Sequence, residues 1–426
     1  MTKLHQESSE SITETRSPLD ELVRTGARRM LQVAIDAEVE AYIAEHKGAR
    51  DEHGHALVVR NGPGRPRAIV TGAGSLLVTP PRVNDMREID GERQRFRSLI
   101  LPPYLRKSTS ISELLPALYL RGMSTNDFKD GLEALLGEGA KGFSPSVVTR
   151  LVKAWQSELE AWRTRAIGDY VYIWADGVHF TVRLEDERLA ALVIIGVKAD
   201  GTKEVLGLED GFRESTESWA ALLRDLKSRG MTAPTVAVGD GALGFWAALR
   251  EVFPTTREQL CWVHKIANVL DKLPKSLQPK AKSELHEMMR APTRANCEKL
   301  IQTFQDDYGA KYPKAAKSLL NNKDKLTTLF DFPAEHWIHL RTTNPIESTF
   351  ATVKLRQRTT KGAGSRAAGL AMAFRLLLLA QKGWRKLNAP AKLELVRQGA
   401  KYTNGVMTQA PQIVSESQHQ PENAAA

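Results

Sequence analysis

The sequence predicts an α+β / α/β fold: a mixed sheet with helices packed against it, interrupted by an all-α insertion and preceded by a helical N-terminal region. Three observations lead there. First, three strand-like runs joined by hairpin signals begin at Tyr170, and strands then alternate with amphipathic helices as far as Val263. Second, the stretch from Pro274 to about Leu340 is Lys-rich with a helical pattern and few strand signals. Third, the apolar run Thr235-Val-Ala-Val-Gly239 leads directly into Asp240-Gly241 and then an amphipathic helix reaching Val252. An acidic residue at the end of a buried strand is placed where open sheets present ligand-binding and catalytic groups.

Residues 1–18 are polar and aperiodic, and are expected to be a disordered tail. Residues 19–110 form an N-terminal region. A helix is expected from Leu19 to His46, with Leu22, Val23, Ala27, Met30, Leu31 and Ile35 at helical spacing. The basic segment Arg60-Asn-Gly-Pro-Gly-Arg65-Pro-Arg67 is too rich in Gly and Pro to be helical, and strands Ala68–Thr71 and Ser75–Thr79 follow. Residues 60–110 carry ten Lys and Arg against four acidic residues. Arg60, Arg65 and Arg67 fit a phosphate-contacting arm, and a solvated loop fits equally well.

Residues 111–165 read as helical. Ser124-Thr-Asn-Asp127 has capping-box spacing, and Ser144-Pro145 opens a longer helix to about Trp162. This pair suits a helix-turn-helix presenting Arg150 and Lys153 to DNA, or a plain helical hairpin. Residues 166–270 form the first part of the sheet core. One strand is expected to end at Asp176, a second to alternate from Val178 to Leu184, and a third to run from Leu189 to Val197. A segment at 204–208, a helix over Ser215–Arg229 and a last strand over Arg257–Val263 complete the core. Residues 271–340 are the all-α insertion. Residues 341–401 return to the core with helices opening at Asn344 and Ser365, the second reaching about Leu387, and residues 402–426 read as a polar tail.

Composition bounds the function classes. At 42% hydrophobic and 26% charged, the chain is ordinary for a soluble globular protein. Its opening residues lack a signal-peptide pattern, and its apolar runs, Leu376–Ala380 among them, are too short to span a bilayer. Two cysteines make no disulfide framework, in keeping with a reducing cytoplasm. The net charge of +10 is concentrated: from Arg341 to Lys401 there are 13 Lys and Arg against only Glu347 and Glu394. A basic block around one Glu points to a polyanion partner, or else to a solvated helical face.

Asp176, Asp240 and Glu347 are the candidate catalytic and metal-holding residues. Carboxylates at element ends supply the oxygen ligands that Mg²⁺ requires, and a pair of such ions suits phosphoryl transfer. Each also has a plainer reading: Asp-Gly is a turn signal, and Glu347 stands at capping-box distance from Asn344. The conjunction favours a site. Positions 347, 351, 354 and 358 share a helix face, so Lys354 and Arg358 lie beside Glu347, with Lys361 beyond them, along a path suited to a nucleic-acid backbone. Cys261-Trp-Val-His264 reads as a strand end close to this pocket. A zinc site with His286 and Cys297 fits no common spacing.

At this point the chain resembles the bacterial mutator-type (Mutator-like) insertion-sequence transposases. The matching segments are Arg60-Asn-Gly, Arg65-Pro-Arg67, Pro80-Pro-Arg82, Tyr119-Leu-Arg-Gly-Met-Ser124, Asp176-Gly, Gly207-Leu, Asp240-Gly, Cys261-x-x-His264 and Asn344-x-x-Glu347. One departure is Asn61-Gly62-Pro63, where that family usually has an aromatic after Asn-Gly. The resemblance implies a ribonuclease H-like core with a DDE triad on Asp176, Asp240 and Glu347, and a helical insertion before the Glu. It further implies an N-terminal region that binds terminal inverted repeats, and Mg²⁺ (with Mn²⁺ as substitute) as cofactor. The expected activity is DNA strand cleavage and transfer by a homodimer or larger assembly that pairs two DNA ends. A non-catalytic DNA-binding descendant is the alternative, with a ribonuclease or resolvase on the same core as a third reading.

Overall fold

The computed structural model describes residues 17–120, 145–180, 189–241, 243–360 and 364–411. The chain divides into two compact units, one ending at Thr149 and one beginning at Arg150.

The first unit is built on α1 (Pro18–Glu45). Ser17 Oγ accepts from the Leu19 N–H, Pro18 occupies the first turn, and Asp20 and Glu21 complement the positive helix end. Strands β1 (Val58–Pro63) and β4 (Pro81–Asp85) pair antiparallel, as do β2 (Arg67–Thr71) and β3 (Gly74–Val78). Two short strands follow, β5 (Glu88–Ile89) and β6 (Glu92–Arg93), and then α2 (Thr109–Leu120). The core gathers Ile35, Ile69, Val78 and Leu101, with Leu31 and Leu105 packed against it. The expected apolar face of α1 is thus used only in its C-terminal half: Leu22, Val23 and Met30 are exposed, because the β2–β3 hairpin reaches only the later turns.

A buried polar knot joins α1 to β4. Asp85 is 4% exposed and accepts from Tyr42 Oη at 2.6 Å, from Arg87 Nε at 3.0 Å and from Arg87 Nη2 at 2.8 Å. The Arg87 fork holds the Asp85 carboxyl far below the ordinary carboxylate range. Asp85→Asn is therefore expected to destabilise this unit by about 2–3 kcal/mol, since it strips the charge from a buried hydrogen-bonded pair. The lowered pKa means this stability is present above the unfolded-state value and lost as pH falls toward the folded one. Hydrogen exchange of the β1 and β4 amides reads the loss.

The second unit begins within α3 (Pro145–Arg163). Its five-stranded sheet contains β7 (Tyr172–Phe180), β8 (Leu189–Val197), β9 (Lys203–Gly211), β10 (Val236–Gly239) and β11 (Arg257–Leu260), in spatial order β11-β10-β7-β8-β9. β7, β8 and β9 run antiparallel as a meander, while β10 lies parallel to both β7 and β11. Helix α4 (Thr216–Ser228) starts at the Ser215 N-cap and buries Trp219, Ala220, Leu222, Leu223 and Leu226; α5 (Phe245–Val252) packs beside it. The fold is mixed α and β, as the sequence predicts.

Four expectations change. Asp176 does not end a strand: β7 runs through it to Phe180, its far half held by β8, with Asp176 opposite Val193. What does end there is the pairing with β10, whose last partners are Ala175 and Gly239. The strand expected over Arg257–Val263 stops at Leu260, and Cys261 instead caps α6 (Trp262–Leu270). The helix expected to reach Leu387 stops at Gln381, just before Lys382-Gly383. The tail expected from residue 402 holds a hairpin, β12 (Lys401–Thr403) and β13 (Val406–Gln409), with Tyr402 buried and Asn404 Oδ1 accepting from the Arg294 N–H at 2.9 Å.

The stretch expected to be an all-α insertion contains α7 (Gln278–Met289), α8 (Arg294–Tyr308) and α9 (Pro313–Leu320), then short helical turns to Leu340. Helix α10 (Asn344–Thr360) packs across β7 and β8, α11 (Arg366–Gln381) lies on β9, and α12 (Ala391–Arg397) follows. The helix expected over residues 124–136, and with it the first half of the helix-turn-helix reading, lies outside the described residues.

Candidate active site

Asp176 and Asp240 are each the next residue after the last paired position, Ala175 opposite Gly239, on adjacent parallel strands. Neighbouring strands lie about 4.8 Å apart, so the two residues stand side by side where the pairing of β10 with β7 ends. Both residues are buried, Asp176 at 4% and Asp240 at 8% exposed. The main chain at Asp240 is fixed by Trp246 Nε1, which donates to the Asp240 carbonyl at 2.7 Å.

The residue joining them is Arg213, from the loop between β9 and α4. Its Nη2 donates to Asp176 Oδ1 at 3.2 Å and lies 3.6 Å from Asp240 Oδ2. Its own carbonyl accepts from Gly244 N at 3.0 Å and Trp219 Nε1 at 2.8 Å, so the loop is anchored on both α4 and the turn before α5. Gly177 makes room for it: a Cβ there would stand 2.4 Å from Arg213 Cγ. The Asp-Gly pair at 176–177 therefore serves a close approach inside a strand, not a turn. Burial raises the pKa of Asp176, against the opposing pull of Arg213, the Gly177 N–H and His264.

Glu347 comes from the first turn of α10, the helix that crosses β7. Thr343, just before that helix, organises its surroundings. Its hydroxyl donates to Glu347 Oε1 and lies 3.4 Å from His264 Nδ1, and its N–H donates to Cys261 Sγ at 3.4 Å. His264 Nδ1 is 3.7 Å from Glu347 Oε1. Burial works against protonating His264, but its hydrogen bond to Cys261 and the fields of Cys261, Asp240 and Asp176 prevail and push its pKa up to about 9. A cavity of about 230 Å³ opens beside Asp240 and Cys261, lined also by Lys265, Asn268 and Asn321.

Asp176, Asp240, Glu347, Cys261 and His264 thus occupy one region, linked by contact or by mutual electrostatic influence. His286 and Cys297 do not join it. Cys297 is buried in α8, and His286 lines a separate cavity with Arg290 and Lys299. Of the basic residues, Lys354, Arg150 and Lys153 are exposed. Arg60 is exposed but paired with Asp36 and Glu40 of α1, Arg67 donates to the carbonyls of Pro102 and Leu105, and Arg65 faces solvent. The side chain of Arg358 and all of Lys361 lie outside the described residues.

Sequence reasoning missed Arg213 and Thr343. The signal for Thr343 was its place immediately before Asn344-Pro345, where a helix start prefers a hydroxyl. Arg213 carries no local signal.

No helix among the described residues is long and apolar enough to cross a membrane. The family described as "Transposase, Mutator family" matches residues 1–380. Among curated relatives, a transposase for insertion sequence element IS6120 of Mycolicibacterium smegmatis is 55% identical over 303 residues, 71% of this chain and 94% of the relative. A transposase for insertion sequence element IST2 of Acidithiobacillus ferrooxidans is 46% identical over 288 residues, 65% of this chain and 95% of the relative. A transposase for insertion sequence element ISRM5 of Rhizobium meliloti is 24% identical, with 90% of this chain aligned. With residues 1–380 matched by the family and a relative 55% identical over 303 residues, the chain belongs to the Mutator family of transposases.

Proposed function

We propose that the protein is a DDE transposase that binds the terminal inverted repeats of an insertion sequence and carries out Mg²⁺-dependent DNA strand cleavage and strand transfer. The observation that carries this reading is the pair Asp176 and Asp240, buried at one height on adjacent parallel strands with a guanidinium between them. Two buried carboxylates so close together call for a cation, and Arg213 supplies one in the metal-free state. The strand order, a three-stranded antiparallel meander followed by two parallel strands, supports a ribonuclease H-like core.

The donor set suits a hard divalent ion: carboxylate oxygens from Asp176 and Asp240, with Glu347 brought in by α10. Bound there, Mg²⁺ supplies activation of the attacking oxygen and neutralises charge on the phosphate. The chain's own residues do the rest. Asp176 and Asp240 fix the site to the rigid sheet. Thr343 orients the Glu347 carboxylate through its hydroxyl. Lys354, exposed two turns along α10 from Glu347, borders the path of the DNA backbone. Asp176, Asp240 and Glu347 would hold the metal, and Arg213, the cation between the aspartates without it, would then be left to face the phosphate. Two DNA ends are paired in a homodimer or larger assembly.

The test is nicking of a duplex bearing the element's end by the purified full-length chain. Cleavage that requires Mg²⁺ or Mn²⁺ and leaves a 3′-hydroxyl supports the reading. Specific binding of the end with no metal-dependent nicking replaces it with a DNA-binding role.

A further inference from the structure

We propose that Cys261, His264 and Glu347 form a transition-metal site for zinc or a similar borderline cation, sharing Glu347 with the oxygen-ligand site of Asp176 and Asp240. Among the described residues these three offer a sulfur, a nitrogen and an oxygen whose ligand atoms all lie within 4.8 Å of one another. His264 Nδ1 and Glu347 Oε1 are already 3.7 Å apart. Ligands about 2.0–2.3 Å from one zinc ion lie roughly 3.3–3.7 Å from each other, so closure asks for movements of no more than about 1 Å.

The chemistry of the donors selects the metal. Thiolate and imidazole favour zinc, cobalt or copper over magnesium, while the paired aspartates favour the reverse. Cys261 stands at the N-cap of α6, where its Sγ accepts from the Thr343 N–H at 3.4 Å. Metal binding releases the thiol proton to solvent as the sulfur–metal bond forms. The Thr343 hydroxyl, in reach of Cys261, His264 and Glu347, orients the ligands. Three protein ligands leave the fourth position open, and the cavity beside Cys261 and Asp240 provides a way in.

Sharing of Glu347 has a consequence that rests on the DDE reading. Zinc held here draws Glu347 toward Cys261 and away from Asp176, so zinc would switch the nuclease off without displacing magnesium from the aspartates.

The site is tested with Co²⁺ as a spectroscopic stand-in, on the full-length reduced chain without Mg²⁺. A near-ultraviolet thiolate-to-cobalt charge-transfer band that saturates at one equivalent is expected. It should disappear in Cys261→Ser and persist in Cys297→Ser, whose thiol burial pushes up to about 12. Should Cys261→Ser fail to fold, His264→Gln, at a half-buried position, is expected to weaken cobalt binding at least tenfold. Asp176→Asn is expected to keep the band while losing nicking, which separates this site from the catalytic one. Absence of the band, its survival in Cys261→Ser, or unchanged affinity in His264→Gln overturns the proposal.

Discussion

Asp240→Asn is expected to lower Mg²⁺-dependent strand cleavage by about 10³-fold while binding of end DNA is retained. Asn keeps the shape and the hydrogen-bonding reach of the side chain but removes the charge that holds a divalent ion. Charge stabilisation by a bound metal amounts to several kcal/mol, and ~4 kcal/mol corresponds to about three decades in rate. The substitution sits on a turn whose main chain is held by Trp246 and by the pairing of β10 with β7, so the fold should tolerate it. Single-turnover cleavage of labelled end DNA measures the effect. Full activity in this variant would remove Asp240 from the catalytic site.

Arg213→Ala is expected to destabilise the metal-free protein by about 2–3 kcal/mol and to be rescued by Mg²⁺. Without the guanidinium, Asp176 and Asp240 are left as neighbouring buried carboxylates that have lost the counter-charge bridging them. Breaking such a pair costs about 3–5 kcal/mol when fully buried, and less here because Arg213 is 21% exposed. The sign with pH follows from Asp176, whose pKa burial already raises. A raised carboxyl pKa contributes stability below the unfolded-state value that is lost as pH rises through the folded one. The variant should therefore approach wild-type stability in acid and fall furthest behind at neutral pH. Magnesium at about a hundred times its Kd returns roughly 2.7 kcal/mol by mass action. Thermal midpoints in EDTA and in Mg²⁺, at pH 5 and pH 7, report both trends. A variant indifferent to Mg²⁺ would mean that Arg213 does not stand in for a cation.

The sheet was legible in the sequence because its strands are buried on both faces. Val236, Ala237 and Val238 are fully buried in β10, and such a run leading to Asp-Gly admits few readings. The Ser215 and Ser365 N-caps marked their helices for the same local reason: a hydroxyl before an amphipathic run in the first and an apolar run in the second. Asp176 was misplaced because Asp-Gly is ordinarily a turn, and only the tertiary approach of Arg213 explains a glycine inside β7. The C-terminal hairpin carried a signal that its polarity hid. Asn404 and Gly405 both have positive φ, 47° and 82°, as the tightest hairpin turns require. Arg213 could not be read at all, since its importance lies in contacts with residues 37 and 27 positions away. The grouping of Glu347 with Cys261 and His264 likewise depends on packing across the sheet, not on spacing.

The most direct measurement of convergence is anomalous scattering from Mn²⁺ in crystals of the protein bound to its own end DNA. Peaks within coordination distance of both Asp176 and Asp240, with Glu347 reaching at least one of them, are expected. Manganese bound elsewhere, or an Asp176–Arg213–Asp240 bridge left intact with DNA and metal in excess, would contradict a shared catalytic centre.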